Sequence, residues 1–254
     1  MKPVCLVIGA GAGIGGNVGK RFAKEGYHTV LCRRSDEEGL KKLVTEIKEE
    51  GGDATGFLLN AVDEGVLEER VALIEDEIGP IEVILFNLGA QIGNRSLVDT
   101  SFKAFELGWR MATLALFRVA KAVVPAMEAR GSGTILVTSA TAAVRGNAGQ
   151  HSHAAAMGGR RMLCQSLNAE FARKNIHVAH ILVDGAVDAP DTLGKMVGEK
   201  AFQKLRETRG AEDGLLVPEQ MAETYYHVAH QHRSSWTHEL DLRSYSDLAW
   251  WNHR

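Results

Sequence analysis

The chain has 254 residues, a length that fits one large α/β domain or two small ones, and its 45% hydrophobic content is enough for a buried core. Its 29 Lys and Arg residues nearly balance 32 Asp and Glu residues, which argues against a nucleic acid or membrane partner and favours a small molecule. No apolar run approaches ~18 residues, so we expect no membrane span and a cytoplasmic location. Three well-separated cysteines, Cys5, Cys32 and Cys164, predict buried free thiols rather than disulfides.

Short apolar runs alternate with helical patterns along the chain. The predicted strands lie at 3–10, 28–32, 54–60, 82–89, 133–140, 176–183 and 236–242. Runs that are apolar at nearly every position are typical of strands buried on both faces, as in parallel sheets. Between the second and third runs, residues 36–50 carry apolar side chains at helical spacing. The sequence therefore predicts a single α/β domain over 1–254, with a doubly wound parallel sheet.

The first predicted strand runs directly into a glycine-rich turn that contains Gly9, Gly13 and Gly15. Glycine permits a tight turn and lets backbone N–H groups approach a pyrophosphate at the N terminus of the next helix. The motif lies between a strand and a helix, which is the context that it requires. We expect this loop, with Ile14, to bind a dinucleotide, and a purely structural glycine turn is the alternative.

The second predicted strand ends in Arg33 and Arg34, where the adenosine ribose of a dinucleotide is expected. Two guanidinium groups suit a 2′-phosphate, whereas a carboxylate usually holds the ribose of NAD. The pair therefore favours NADP(H) over NAD(H). A solvated basic pair at a helix start is the alternative, and Asp36 leaves room for NAD.

These residues make the chain resemble the short-chain dehydrogenase/reductase family along nearly its whole length. The family's glycine loop corresponds to residues 8–15, and its Asn-Asn-Ala-Gly motif to 86–89, which keeps Asn87 and Gly89. The resemblance implies a Rossmann-type fold and a nicotinamide cofactor. It also implies a homodimer or homotetramer, with the helices at 103–130 and 152–173 as contact faces.

Further cofactor contacts follow from the same resemblance. Asn60, with Ala61 beside it, corresponds to the aspartate that contacts adenine in the family. The family's Pro-Gly after the sixth strand corresponds to Asp184 and Gly185, which Val187 follows.

The resemblance also shows where the chain departs from the family. It places Ala112, Ala140, His153 and Met157 where the family has its catalytic asparagine, serine, tyrosine and lysine. A thioether can neither donate a hydrogen bond nor lower a neighbouring pKa by its charge. The resemblance therefore implies a divergent active site that lacks the usual catalytic residues.

His153 is the predicted proton donor, because an imidazole of ordinary pKa ~6.5 can act without the lysine that a tyrosine requires. Ser139 is the second catalytic candidate, since a small register shift would bring its hydroxyl, or that of Thr141, towards a substrate oxygen. A packed or cofactor-contacting His153 is the alternative. No metal site is expected, because no acidic or cysteine ligand completes His151 and His153.

Two arginines follow on the same predicted helix. We expect Arg160 and Arg161 at the surface or in a subunit contact, with an Arg161 that reaches inward as the alternative.

The sequence thus predicts an NADP(H)-dependent oxidoreductase that acts on a small carbonyl or an activated double bond. An irregular segment at 188–216, which lacks strand character, is the predicted substrate flap. A cofactor-binding protein without turnover, such as a sensor or a partner subunit, is the alternative. The sequence contains no pair of a nucleophile and a general base that would support a hydrolytic or lyase activity.

Overall fold

Seven strands form one parallel sheet in a computed structural model that describes residues 1–89 and 94–252. The strand order is β3-β2-β1-β4-β5-β6-β7, and every pairing is parallel. The strands are β1 (Val4–Ile8), β2 (His28–Arg33), β3 (Asp53–Leu58), β4 (Ile81–Phe86), β5 (Gly133–Ala140), β6 (Ile176–Asp184) and β7 (Glu239–Arg243). The strand order reverses between β1 and β4, which is where doubly wound sheets bind ligands.

The predicted fold class is therefore confirmed, and each predicted strand overlaps one of the seven, with ends that differ by a few residues. The sheet and its helices form a single domain. The predicted domain 1–254 also includes residues 90–93 and 253–254, which lie outside the described residues.

Helices cover both faces of the sheet. They are α1 (Ile14–Lys24), α2 (Glu37–Glu49), α3 (Val66–Leu73), α4 (Phe102–Trp109), α5 (Ala115–Arg130), α6 (His151–Phe171), α7 (Lys195–Val197), α8 (Glu199–Thr208) and α9 (Pro218–Ala229). A π-helical segment, Arg110–Leu114, joins α4 to α5. Within the described part of the chain, every helix is too short or too polar to cross a membrane.

Two cores result from the alternation of side chains along the strands. In β1, Val4, Leu6 and Ile8 pack against α3, α5 and α6 on one face, while Cys5 and Val7 pack against α1, α2 and α9 on the other. Both faces of β1 are thus buried, which explains why its sequence is apolar at every position.

The three cysteines are buried and free, as predicted. Burial raises the pKa of the Cys32 and Cys164 thiols to about 12, so both stay protonated at neutral pH. Burial also raises the pKa of the Cys5 thiol. None of the three thiols is therefore activated as a nucleophile.

The segment 188–216 is largely helical and not irregular, while its role as a substrate flap stays a prediction. It contains a π-helical turn, Pro190–Gly194, followed by α7 and α8. An ion pair between Arg206 Nε and Asp188 Oδ1, at 2.7 Å, fixes α8 to the start of the segment. α8 carries few apolar residues, and Phe202 is its one buried residue, so the core contributes little to the position of this helix.

Candidate functional site

A cleft of about 650 Å³ opens at the carboxyl ends of the central strands. Its lining includes these predicted site residues: Gly9, Gly13, Ile14, Gly15, Arg33, Arg34, Asn60, Ala61, Asn87, Gly89, Ser139, His153, Gly185 and Val187. These residues are distant in sequence, and they meet because parallel strands present their carboxyl ends at one edge of the sheet. The volume is in the usual range for a small-molecule or cofactor site.

Two positions in the turn after β1 must be glycine, because other backbone atoms lie too close for a Cβ. Gly9 has a φ of +100°, and a Cβ there would lie 2.7 Å from the carbonyl oxygen of Asn87. A Cβ on Gly15 would lie 2.2 Å from the carbonyl oxygen of Gly9. Gly13 is different, since its φ is −84° and a Cβ there would contact only the Ala189 side chain, at 3.0 Å. Gly9 and Gly15 therefore maintain the shape of the loop.

The N terminus of α1 faces this cleft without a competing anion. Gly13 precedes the helix and provides no side-chain cap, and the first turn contains no acidic residue. The first N–H groups of a helix lack partners within the helix, so they bind anions readily. Asn87 Nδ2 donates to the Gly9 carbonyl at 3.0 Å and so ties the loop to the end of β4.

The two arginines at the end of β2 differ in their surroundings. Arg33 Nη2 pairs with Asp36 Oδ2 at 2.8 Å, and Asp36 Oδ1 accepts a hydrogen bond from the backbone N–H of Gly39. Both oxygens of Asp36 are thus engaged, and the Gly39 bond is the main reason why its pKa lies below the ordinary value. Arg34 is exposed and forms no ion pair within the described residues.

The remaining cofactor candidates lie at the ends of β3, β4 and β6. Asn60 Nδ2 donates to Asp63 Oδ1 at 2.9 Å, which orders the turn that contains Ala61. Val187 pairs with Leu216 in a single parallel bridge, so both ends of the 188–216 segment are held beside the cleft.

The other end of the cleft is mainly apolar. His153 lies half-buried in the first turn of α6, and Ser139 is buried at the end of β5. Ser139 Oγ donates to the sulfur of Met157 at 3.8 Å. Ala112 is buried and packs against Met157. Thr141 is absent from the lining, so of the two hydroxyl candidates Ser139 alone reaches the cleft.

The described residues contain no group of three or more His, Cys, Asp or Glu side chains that could hold a metal ion. At the apolar end, the titratable side chains among the described lining residues are those of His153 and Arg160. His153 and Arg160 are thus the candidates for acid–base or charge effects among the described lining residues at this end.

Arg160 is buried, with 1% of its surface exposed, so the prediction of a surface position is wrong. Its guanidinium donates to three backbone carbonyls: Nε to Ala112 at 3.1 Å, Nη1 to Thr138 at 2.7 Å and Nη2 to Leu88 at 2.8 Å. The sequence did indicate an inward position for Arg160, because residues 153, 157 and 160 follow the spacing of one helix face.

Arg161 points away from the cleft. Its Nε and Nη2 form a bidentate pair with Glu239 on β7, at 2.7 and 2.8 Å. The alternative of an inward-reaching Arg161 is therefore wrong.

Comparison with known proteins gives consistent matches. A profile of the short chain dehydrogenase family matches residues 3–194. A 3-oxoacyl-[acyl-carrier-protein] reductase from Thermotoga maritima is 30% identical over 205 residues, which are 81% of this chain and 80% of that protein.

Solved structures share the fold. A short-chain dehydrogenase from Rhodopseudomonas palustris is 32% identical, with a TM-score of 0.80 over 96% of this chain and 99% of that one. A gluconate 5-dehydrogenase from Burkholderia cenocepacia, crystallised with NADP and tartrate, is 21% identical, with a TM-score of 0.80 over 96% of this chain and 94% of that one.

Proposed function

The chain belongs to the short chain dehydrogenase family, a family of oxidoreductases, and we propose that it is an NADP(H)-dependent member with a divergent catalytic centre. The observation that carries this proposal is one cleft that brings together a glycine loop at a helix N terminus, an arginine pair and His153. We propose as substrate a small carbonyl compound or an activated double bond.

The residues of the cleft fit a dinucleotide. Close packing at Gly9 and Gly15 shapes the loop, and the N terminus of α1, which has no side-chain cap, would hold the pyrophosphate. Arg33 and Arg34 would hold the 2′-phosphate, and Asn60 and Ala61 would flank the adenine.

The nicotinamide would be surrounded by Asn87, Gly89, Gly185 and Val187. The reduced cofactor, when bound, supplies a hydride.

His153 would supply the proton in this proposal. As a carbonyl carbon gains hydride, its oxygen takes a proton from the imidazolium, and the neutral imidazole then regains one from water. Reduction of a conjugated double bond requires less of His153, because solvent can protonate the resulting carbanion-like carbon. Neither route uses Met157, so its thioether is compatible with both.

Arg33 and Arg34 should make the protein bind NADPH at least tenfold more tightly than NADH, a difference of about 1.4 kcal/mol. Replacing both by alanine should abolish the preference and leave NADH affinity nearly unchanged, because NADH lacks the 2′-phosphate. Arg173→Ala, an exposed arginine outside the cleft lining, is the matched control. Equal wild-type affinities in a fluorescence titration, or a preference that survives the double substitution, would contradict NADP(H) specificity.

An alternative proposal is cofactor binding without turnover, in which the positions that correspond to the family's catalytic residues serve only packing. The contact between Ser139 Oγ and the sulfur of Met157, at 3.8 Å, is compatible with it. Loss of NADPH fluorescence with a panel of carbonyl and enone substrates would establish turnover. Tight NADPH binding with no oxidation across the panel would favour the alternative.

We also infer a homodimer or homotetramer. Phe105 and Trp109 on α4 and Phe117 on α5 are exposed apolar side chains within the predicted contact region 103–130. Burial of such a surface against a second copy would stabilise the assembly. Light scattering should give a multiple of the 27.6 kDa chain mass, and a monomer at micromolar concentration would contradict the inference.

A further inference from the structure

Arg160 is the largest fully buried side chain among the described residues. It lies in the lining of the cleft with His153 and Met157, at the end that is proposed to hold the nicotinamide. Arginine is seldom fully buried unless an acidic partner accompanies it, because removing a charge from water is costly. Its burial here therefore requires an explanation.

The charge of Arg160 has no counterion within residues 1–89 and 94–252. Its three hydrogen bonds all go to neutral carbonyl groups, and its Cζ lies 5.0 Å from the centre of the Phe86 ring. Burial lowers the pKa of Arg160 to about 10, so the group still carries its charge at neutral pH. The charge is thus stabilised by backbone carbonyl dipoles and by the quadrupole of the Phe86 ring, and no opposite charge compensates it.

The three carbonyls belong to separate parts of the site. Leu88 follows β4, Thr138 lies near the end of β5, and Ala112 lies in the π-helical segment Arg110–Leu114. Leu88 and Thr138 themselves line the cleft. Arg160 therefore combines two effects, since it fixes the walls of the nicotinamide end and places a positive charge behind them.

The two redox forms of a nicotinamide cofactor carry the same phosphates. They differ by one positive charge, which the oxidised ring carries and the reduced ring does not. A buried cation repels the oxidised ring, and the low dielectric of the interior strengthens that repulsion.

We propose that Arg160 is a positioning residue whose buried charge makes the site bind the reduced cofactor more tightly than the oxidised one. This inference rests on the proposed cofactor-binding function and extends it. Met157, on the same face of α6, carries no charge. The positive charge behind this end of the cleft is therefore that of Arg160. Weaker binding of the oxidised ring would also promote its release after hydride transfer.

The test is the ratio of the NADP⁺ and NADPH dissociation constants, measured by calorimetry for the wild type and for Arg160 variants. We expect a wild-type ratio of at least ten, in favour of NADPH. Arg160→Lys should keep the ratio within about threefold, because it keeps the charge. Arg160→Gln, which keeps hydrogen-bonding groups but not the charge, should lower the ratio at least fivefold.

Arg161→Gln is the matched control, because the neighbouring arginine pairs with Glu239 outside the cleft. It should leave the ratio unchanged. The same measurements with NAD⁺ and NADH should give parallel changes, since the 2′-phosphate plays no part in the difference.

A purely structural Arg160 would give a different result. Loss of packing in the cleft wall would weaken the binding of both redox forms equally. An unchanged ratio of dissociation constants in Arg160→Gln therefore overturns the proposal, as does a wild-type ratio near one. Both of those outcomes leave the cofactor-binding function intact. A wild type that binds neither NADPH nor NADH overturns that function as well.

Discussion

Replacing His153 with phenylalanine lowers the rate of NADPH-dependent carbonyl reduction by about 10²- to 10⁴-fold, which is the usual contribution of a positioned general acid. The affinity for NADPH stays within a few-fold of the wild type, because the phosphate-binding loop and the arginine pair are untouched. Single-turnover rates and fluorescence titrations measure the two effects separately. Phenylalanine keeps a planar aromatic ring, and His153 is only half-buried, so the first turn of α6 should remain packed.

His151→Phe is the matched control for this experiment. His151 lies on the same first turn but is not among the residues that line the cleft, so its replacement should leave both rate and affinity unchanged. Undiminished turnover in His153→Phe would remove His153 from the mechanism. Protonation of a double bond by solvent would then be the better account.

Replacing Gly15 with alanine should weaken NADPH binding by at least 100-fold. The new Cβ would lie 2.2 Å from the Gly9 carbonyl oxygen and 3.0 Å from Asn87 Nδ2, so the backbone of the loop must move. That movement displaces the N–H groups that would hold the pyrophosphate. Overpacking of this kind also costs about 1–3 kcal/mol of stability, which thermal unfolding would detect.

Gly146→Ala is the control for the glycine substitution. Gly146 lies outside the cleft lining, and a Cβ there meets nothing within 4 Å. The variant should keep both the melting temperature and the affinity for NADPH. If Gly15→Ala binds NADPH normally, then either the cofactor lies elsewhere or the loop is only a structural turn.

Much of the fold could be predicted from the sequence because its signals are local. β1 is buried on both faces, and its run of apolar residues shows this directly. The glycine loop follows that run at once, and Arg33 ends the next strand. Each feature could be placed at the carboxyl edge of the sheet once a parallel order was assumed.

The apolar end of the site was harder to predict. Residues 154–159 are mostly Ala and Gly, which give a helix no apolar stripe and therefore leave its orientation undefined. Tertiary packing decides that Met157, Arg160 and Cys164 face inward. A buried arginine also contradicts the general preference of charged residues for the surface, so composition alone favours the wrong position.

The burial of all three cysteines has a practical consequence for spectroscopy. Since none of the native thiols is exposed or activated, thiol-specific dyes and spin labels should leave the folded protein unmodified. A single cysteine introduced at an exposed position of α8, such as Lys204, would then be the one reactive thiol of the chain. Movement of the 188–216 segment on addition of nucleotide could be followed by fluorescence without first removing any native residue.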